Sequence, residues 1–106
     1  MSITIKADKN SNNKTKVARD SKSKIEFEFF APQAKNVELG GSFNSWKSSQ
    51  HPLKKDRSGK WKATLELKSG RYEYRFLVDG NWQNDQRPVE CIPNAFGTWN
   101  CVIEVR

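Results

Sequence analysis

The stretch Arg71-Tyr72-Glu73-Tyr74-Arg75-Phe76-Leu77-Val78-Asp79-Gly80-Asn81-Trp82 decides the fold. Tyr72, Tyr74, Phe76 and Val78 alternate with Glu73, Arg75 and Leu77, the pattern of a strand with one strongly apolar face. Asp79-Gly80 is a strong hairpin signal, because a type I′ turn needs positive φ at both central residues. A two-residue turn pairs Val78 with Asn81 and Leu77 with Trp82. Trp82 then points away from the apolar face. It shares the outer face with Arg75, one diagonal step away and within reach of a long side chain. An indole held outward beside a guanidinium reads as part of a ligand platform.

Working outward, the same period recurs. Trp61, Ala63, Leu65 and Leu67 alternate with Lys62, Thr64, Glu66 and Lys68, and Ser69-Gly70 turns that strand into the first one. Trp61 is assigned to the core. Ile25, Phe27 and Phe29 alternate with Glu26, Glu28 and Phe30. After a turn at residues 31–36, Val37 and Leu39 flank Glu38 in a short strand. Gly40-Gly41-Ser42-Phe43-Asn44-Ser45-Trp46 is a glycine-led loop, prolonged by polar residues 47–50. Leu53 anchors the following stretch, and Asp56-Arg57-Ser58-Gly59 is a turn. Residues 83–93 hold two prolines and mixed charge and read as a loop. In the last segment Trp99, Cys101, Ile103 and Val105 make one face, and Phe96, Thr98, Asn100 and Val102 the other. No helical segment of useful length emerges. Short strands with turn signals at this spacing predict an all-β fold, an antiparallel β-sandwich.

A chain of 106 residues is expected to form one domain. Its twelve aromatic residues, four of them Trp, leave some to spare for a surface site. The formal charge of +7 is unevenly spread: residues 1–24 carry +5, and the remaining 12 basic and 10 acidic residues give +2. Residues 1–23, polar and without sustained periodicity, are expected to be a basic flexible tail dispensable for folding, with the sandwich at 24–106. The tail together with exposed aromatics raises nucleic-acid binding as a second reading; the near-neutral folded part argues against it. No apolar run approaches the ~18 residues of a membrane span. The N-terminus has no secretory h-region, so a cytoplasmic location without a membrane partner is expected.

Cys91 and Cys101 are too few for a disulfide framework and are expected to be reduced thiols without a functional role, Cys101 in the core. No Cys-x-x-Cys or His-rich spacing suggests a metal, and no cofactor is implied. His51, the sole histidine, precedes Pro52 in a polar loop. There is no nucleophile elbow. Glycoside hydrolysis needs two carboxyls across one cleft, and the scattered Asp and Glu suggest no such pair. The chain reads as a non-enzyme.

The outward residues form a set: Arg75 with Trp82, and Phe96, Thr98 and Asn100 together on the last strand, with Trp46 in a loop where a core Trp is hard to bury. Flat rings beside amide, hydroxyl and guanidinium donors suit a sugar, whose axial C–H face covers an indole while its hydroxyl rim takes directed hydrogen bonds. Each residue also has a plainer reading. Trp82 packs on loop 83–93, Trp46 plugs one end of the sandwich, and Arg75 pairs with Glu73 or Asp85. Phe96 enters the core if the last strand slips by one residue, and Thr98 and Asn100 are edge-strand polar residues. Asn44 and Asp85 are expected to fix their loops rather than touch ligand.

Four motifs in order, Gly41-Ser42-Phe43-Asn44-Ser45-Trp46, Tyr74-Arg75-Phe76-Leu77-Val78-Asp79-Gly80-Asn81-Trp82, Asp85, and Phe96-Gly97-Thr98-Trp99-Asn100, resemble the glycogen-binding domain of AMP-activated protein kinase β subunits, a family 48 carbohydrate-binding module. The resemblance covers about residues 24–106. It implies an immunoglobulin-like, early-set sandwich that binds an α-1,4-linked glucan, as a glycogen- or starch-like polysaccharide or a maltooligosaccharide. It implies that Trp46 and Trp82 stack on sugar and that Arg75, Phe96, Thr98 and Asn100 complete the contact. Arg75 stands where lysine is common, which keeps charge and changes hydrogen-bond geometry. Trp99 stands where the kinase subunits have a smaller apolar residue. The alternative is a protein-interaction adaptor of the same fold without sugar affinity; the resemblance leaves any protein partner, kinase or glucan enzyme, unnamed.

Overall fold

The computed structural model describes residues 21–106. The expected tail lies, up to residue 20, outside the described residues. Eight strands follow in order: β1 (Lys22–Phe30), β2 (Val37–Gly41), β3 (Lys54–Lys55), β4 (Lys60–Lys68), β5 (Gly70–Val78), β6 (Asn81–Gln83), β7 (Cys91–Pro93) and β8 (Trp99–Val105). Two 3₁₀ turns, Ser42–Asn44 and Ser48–Gln50, interrupt the loop after β2. β1, β4 and β3 form one sheet; β2, β5, β8 and β7 form the other, with β6 also on β5. Every pairing is antiparallel. The chain is an antiparallel β-sandwich, and β1 begins two residues before Lys24.

Period-2 alternation builds the core. Phe27 and Phe29 on β1, Leu65 and Leu67 on β4, and Tyr74, Phe76 and Val78 on β5 are buried between the sheets. Facing rings interlock: Phe27 meets Tyr74 edge-on at 5.1 Å, and Phe29 meets Phe76 at 4.9 Å. Each such ring contributes about 1.5–3 kcal/mol by burial. Trp61 is buried as expected, and its indole N–H donates to Ala31 O at 2.8 Å. Leu53 is buried too.

The β5–β6 turn is as the sequence predicts. Val78 pairs with Asn81 and Leu77 with Trp82, with Asp79 at φ 47° and Gly80 at φ 84°. The Asp79 carboxylate also accepts from the Lys35 and Asn36 N–H groups, which ties the β1–β2 turn to the hairpin. β5 shares its two edges among three strands. Tyr74 pairs with Gly41 on one side and Cys101 on the other; Phe76 pairs with Leu39 and with Gln83. β8 and β6 therefore lie end to end along one edge of β5, which brings the start of β8 beside Trp82.

Loop 83–93 is the main correction. Residues 91–93 form edge strand β7 on β8. Pro93 is tolerated there because it faces Trp99 between two hydrogen-bonded rungs, where its missing N–H breaks no ladder bond. Trp99, opposite Pro93, is 53% exposed. It lies beyond the last rung β8 shares with β5, so the sheet offers it no opposing core.

Asp85 fixes the rest of that loop, as expected. Its side chain is without exposed surface; it accepts from the Tyr74 hydroxyl at 2.6 Å and from the Arg87 guanidinium at 2.9 Å, and its N–H donates to Cys101 Sγ. Burial pulls the Asp85 carboxyl upward, but the Arg87 and Tyr74 hydrogen bonds outweigh it and leave it below its ordinary value. A carboxyl lowered in the folded state stabilises the fold above its unfolded pKa and loses that contribution as pH falls through its folded one. Asp85→Asn is expected to cost about 1–3 kcal/mol at neutral pH and to narrow its deficit against the parent below about pH 4. Denaturant titrations across that range check this; a deficit constant with pH contradicts it.

Candidate functional site

The outer face of the larger sheet carries a concavity of about 760 Å³ lined by Trp46, Glu73, Arg75, Trp82, Asn94, Ala95, Phe96, Thr98 and Asn100. All six residues singled out in the sequence meet there. Three of the nine, Glu73, Asn94 and Ala95, were missed.

The loop after β2 delivers Trp46. Ser45 and Trp46 both adopt left-handed backbone, at φ 54° and 62°. Asn44 holds that strained turn in place: its Oδ1 accepts from Gly41 N–H at 3.0 Å, and its Nδ2 donates to Leu39 O at 3.0 Å and meets His51 Nδ1 at 2.8 Å. Asn44 is buried and fixes the loop, the role expected of it. His51 serves the same loop. Trp46 N–H closes it on Gly41 O at 2.9 Å.

β6 delivers Trp82. The two indoles meet edge to face, with centroids 6.0 Å apart and planes at 77°. Trp82 is 40% exposed. Gly40 makes the arrangement possible. It lies opposite Arg75 on β2, and a Cβ there would stand 2.6 Å from Trp82 Cη2, 2.9 Å from Cζ3 and 3.5 Å from Trp46 Cε3. The two rings rest on bare backbone.

Arg75 is pinned by its neighbours. Nε donates to Asn84 Oδ1 at 2.6 Å, Nη1 to Thr98 Oγ1 at 3.2 Å and Nη2 to Trp82 O at 3.4 Å. The plainer reading, pairing with Asp85, does not hold, since Tyr74 and Arg87 occupy that carboxylate.

The β7–β8 hairpin supplies the far wall. Phe96 is 91% exposed at its tip, so the strand is not slipped and the ring is outside the core. Asn94 organises the turn. Its Oδ1 accepts from the N–H groups of Phe96 and Thr98, and its Nδ2 donates to Thr98 Oγ1 at 2.8 Å and Asn100 Oδ1 at 2.9 Å. Asn100 is buried rather than an exposed edge residue, and its Nδ2 donates to Glu73 Oε1 at 3.0 Å. Glu73 was legible, because it shares the outward parity of Arg75. Asn94 was hidden by the loop reading of residues 83–93.

Two partly exposed indoles, an exposed ring at the rim and a floor of amides, a hydroxyl, a carboxylate and a guanidinium define a binding module for a polar ligand with apolar faces. The family described as the glycogen recognition site of AMP-activated protein kinase matches residues 23–106. The chain belongs to this family of non-catalytic, glycogen-binding carbohydrate-binding modules. It is 41% identical over 73 residues to 5'-AMP-activated protein kinase subunit beta-1 of Sus scrofa, covering 68% of this chain and 56% of that one. Against the same subunit of Homo sapiens it is 38% identical over 73 residues, 68% of this chain and 25% of that one. Protein PTST homolog 2, chloroplastic, of Arabidopsis thaliana is 44% identical over 57 residues, 53% of this chain and 10% of that one. The chain thus matches between about half and a tenth of these relatives' lengths.

The adjacent glycines separate site from fold. At Gly41 a Cβ would stand 2.5 Å from the Glu73 carbonyl and 2.6 Å from the Phe43 ring. At Gly40 it clashes only with the far edge of the partly exposed Trp82 indole, which can swing away. Gly40→Ala is expected to keep the melting temperature within a few degrees while red-shifting tryptophan emission as Trp82 tips into water. Gly41→Ala is expected to lower stability by ~1–3 kcal/mol. Thermal melts with fluorescence spectra of both variants decide; equal loss of stability in the two contradicts the division.

Proposed function

We propose that this concavity is the glycogen-binding site itself, holding an α-1,4-linked glucan between Trp46, Trp82 and the β7–β8 hairpin. The carrying observation is the pair of indoles at 77°. The apolar C–H faces of successive glucose units stack on them. A flat β-linked ribbon would favour coplanar rings, whereas a curved α-1,4 chain suits two faces set at an angle. Phe96 closes on the chain from the rim. Arg75 and Thr98 address the hydroxyl rim. Asn100 and Glu73, bonded to each other, form the floor, and Asn100 acts as much by holding Asn94 and Glu73 as by touching sugar.

The lining supports binding without catalysis. Glu73 is its one carboxylate among the described residues, and hydrolysis by paired carboxyls needs a second across the cleft. The kinase-subunit relatives favour a protein partner that carries the module to its polymer. The adaptor reading without sugar affinity gains nothing from an open aromatic concavity.

Calorimetry with a linear maltooligosaccharide tests the assignment. Trp46→Ala and Trp82→Ala are each expected to cost ~1–3 kcal/mol, roughly 5- to 150-fold in affinity, with melting temperature unchanged. Binding is expected to be nearly insensitive to salt, since the ligand is neutral. Unchanged affinity in both variants would falsify the site and favour the adaptor.

A further inference from the structure

The two cysteines, unrelated in a reading that made residues 83–93 a loop, are direct cross-strand neighbours. Cys91 on β7 stands opposite Cys101 on β8. Val102 N–H donates to Glu90 O at 2.8 Å and Asn94 N–H to Thr98 O at 2.9 Å, so the hydrogen-bonded rungs are the even-numbered ones. Cys91 and Cys101 thus occupy a non-hydrogen-bonded rung. Residues opposed there have Cα atoms about 4.5 Å apart and side chains on one face, inside the ~4.4–6.8 Å that a disulfide spans.

The thiols are unequal. Cys101 is fully buried, and its sulfur accepts from Asp85 N–H at 3.2 Å. Cys91 is exposed, and its thiol donates to Val89 O at 3.6 Å. Burial pushes the Cys101 thiol up to about 11, and the adjoining Cys91 thiol adds to the rise. A soluble oxidant therefore meets Cys91 first.

We propose that Cys91 and Cys101 are a reversible redox modification site, at which a small disulfide such as oxidised glutathione forms a cross-strand bond locking β7 to β8. The Cys91 thiolate attacks one sulfur of the glutathione disulfide, forming a mixed disulfide and releasing one glutathione thiolate. Cys101, losing its proton, attacks the Cys91 sulfur and expels the second. The cysteines give up two electrons and two protons, and the glutathione disulfide takes up both. β7 is paired with β8 at three rungs, between the Arg71–Glu90 ion pair before it and the Asn94 side-chain bonds after it, so the bond adds a covalent brace to an edge strand held otherwise by polar contacts. The chemistry uses the inner face of the hairpin and does not depend on what the outer face binds.

Intact mass after incubation of the reduced protein with oxidised glutathione tests this. The parent is expected to end as a monomer lighter by about 2 Da, without retained glutathione and reversible by dithiothreitol. That form is expected to melt about 5 °C or more above the reduced one. Cys101→Ala is expected to stop at the Cys91–glutathione adduct, and Cys91→Ser to keep its single buried thiol. A parent that stops at the adduct, forms a disulfide-linked dimer or keeps both thiols overturns the site. An intramolecular bond that leaves melting unchanged or lowers it overturns the lock.

Discussion

The pairing of Leu77 with Trp82 across the Asp79-Gly80 turn is the constraint on which the rest depends. Side chains alternate with period 2, so a slip of one residue would turn Trp82 inward. The turn resists that slip in two ways. Both central residues hold positive φ, which suits a two-residue type I′ loop. The Asp79 carboxylate is also anchored to the backbone of the β1–β2 turn, while Asp79 N–H donates to Asn36 O at 2.8 Å. Displacing the hairpin would break bonds in a different part of the sandwich. Core packing acts in the same sense, because Tyr74, Phe76 and Val78 fill the inner face only in this register.

The site's polar groups are already engaged with one another. Thr98 Oγ1 accepts from both Arg75 and Asn94, and Asn100 is held between Asn94 and Glu73. On the proposed assignment, a sugar hydroxyl entering this network would exchange bonds more than add them, for a net contribution of about 1 kcal/mol or less per contact. The network's value is order: it holds donors and acceptors in one arrangement before ligand arrives, which lowers the entropy lost on binding. On that assignment affinity would come chiefly from the exposed aromatic faces. The exposure of Trp82 and Phe96 beside a buried Asn100 fits that division between rings that attract and amides that position.

Local pattern made much of this legible. β1, β2, β4, β5 and β8 announce themselves by alternation, and the Asp-Gly turn sets the register that places Arg75 beside Trp82. What stayed hidden depends on tertiary pairing. β7 carries a proline and three residues, too little for a period, and exists as a strand because β8 offers an edge. With β7 unseen, Asn94 was an unremarked loop residue and Cys91 had no partner. Gly40 was legible as a loop signal but not as a floor, because its purpose is set by an indole arriving from β6, more than forty residues away. Asn100 stands on the face its parity predicts but is not exposed there, because Asn94 and Glu73 cover it.

Successive residues of β8 serve different ends. Asn100 faces outward into the concavity, while Cys101 faces inward to the core and Cys91. Strand geometry allows this without conflict, since neighbouring side chains occupy opposite faces. It also links the two faces mechanically. β7 is an edge strand of three residues, and such elements sit at the low-stability end of a fold. Its position is set on the outside by the Asn94 side chain at its end and by the Arg71–Glu90 ion pair just before it, while on the inside Cys91 and Cys101 stand opposed as free thiols. The rungs between β7 and β8 therefore help set how Phe96 and Thr98 stand across the concavity from Trp46 and Trp82.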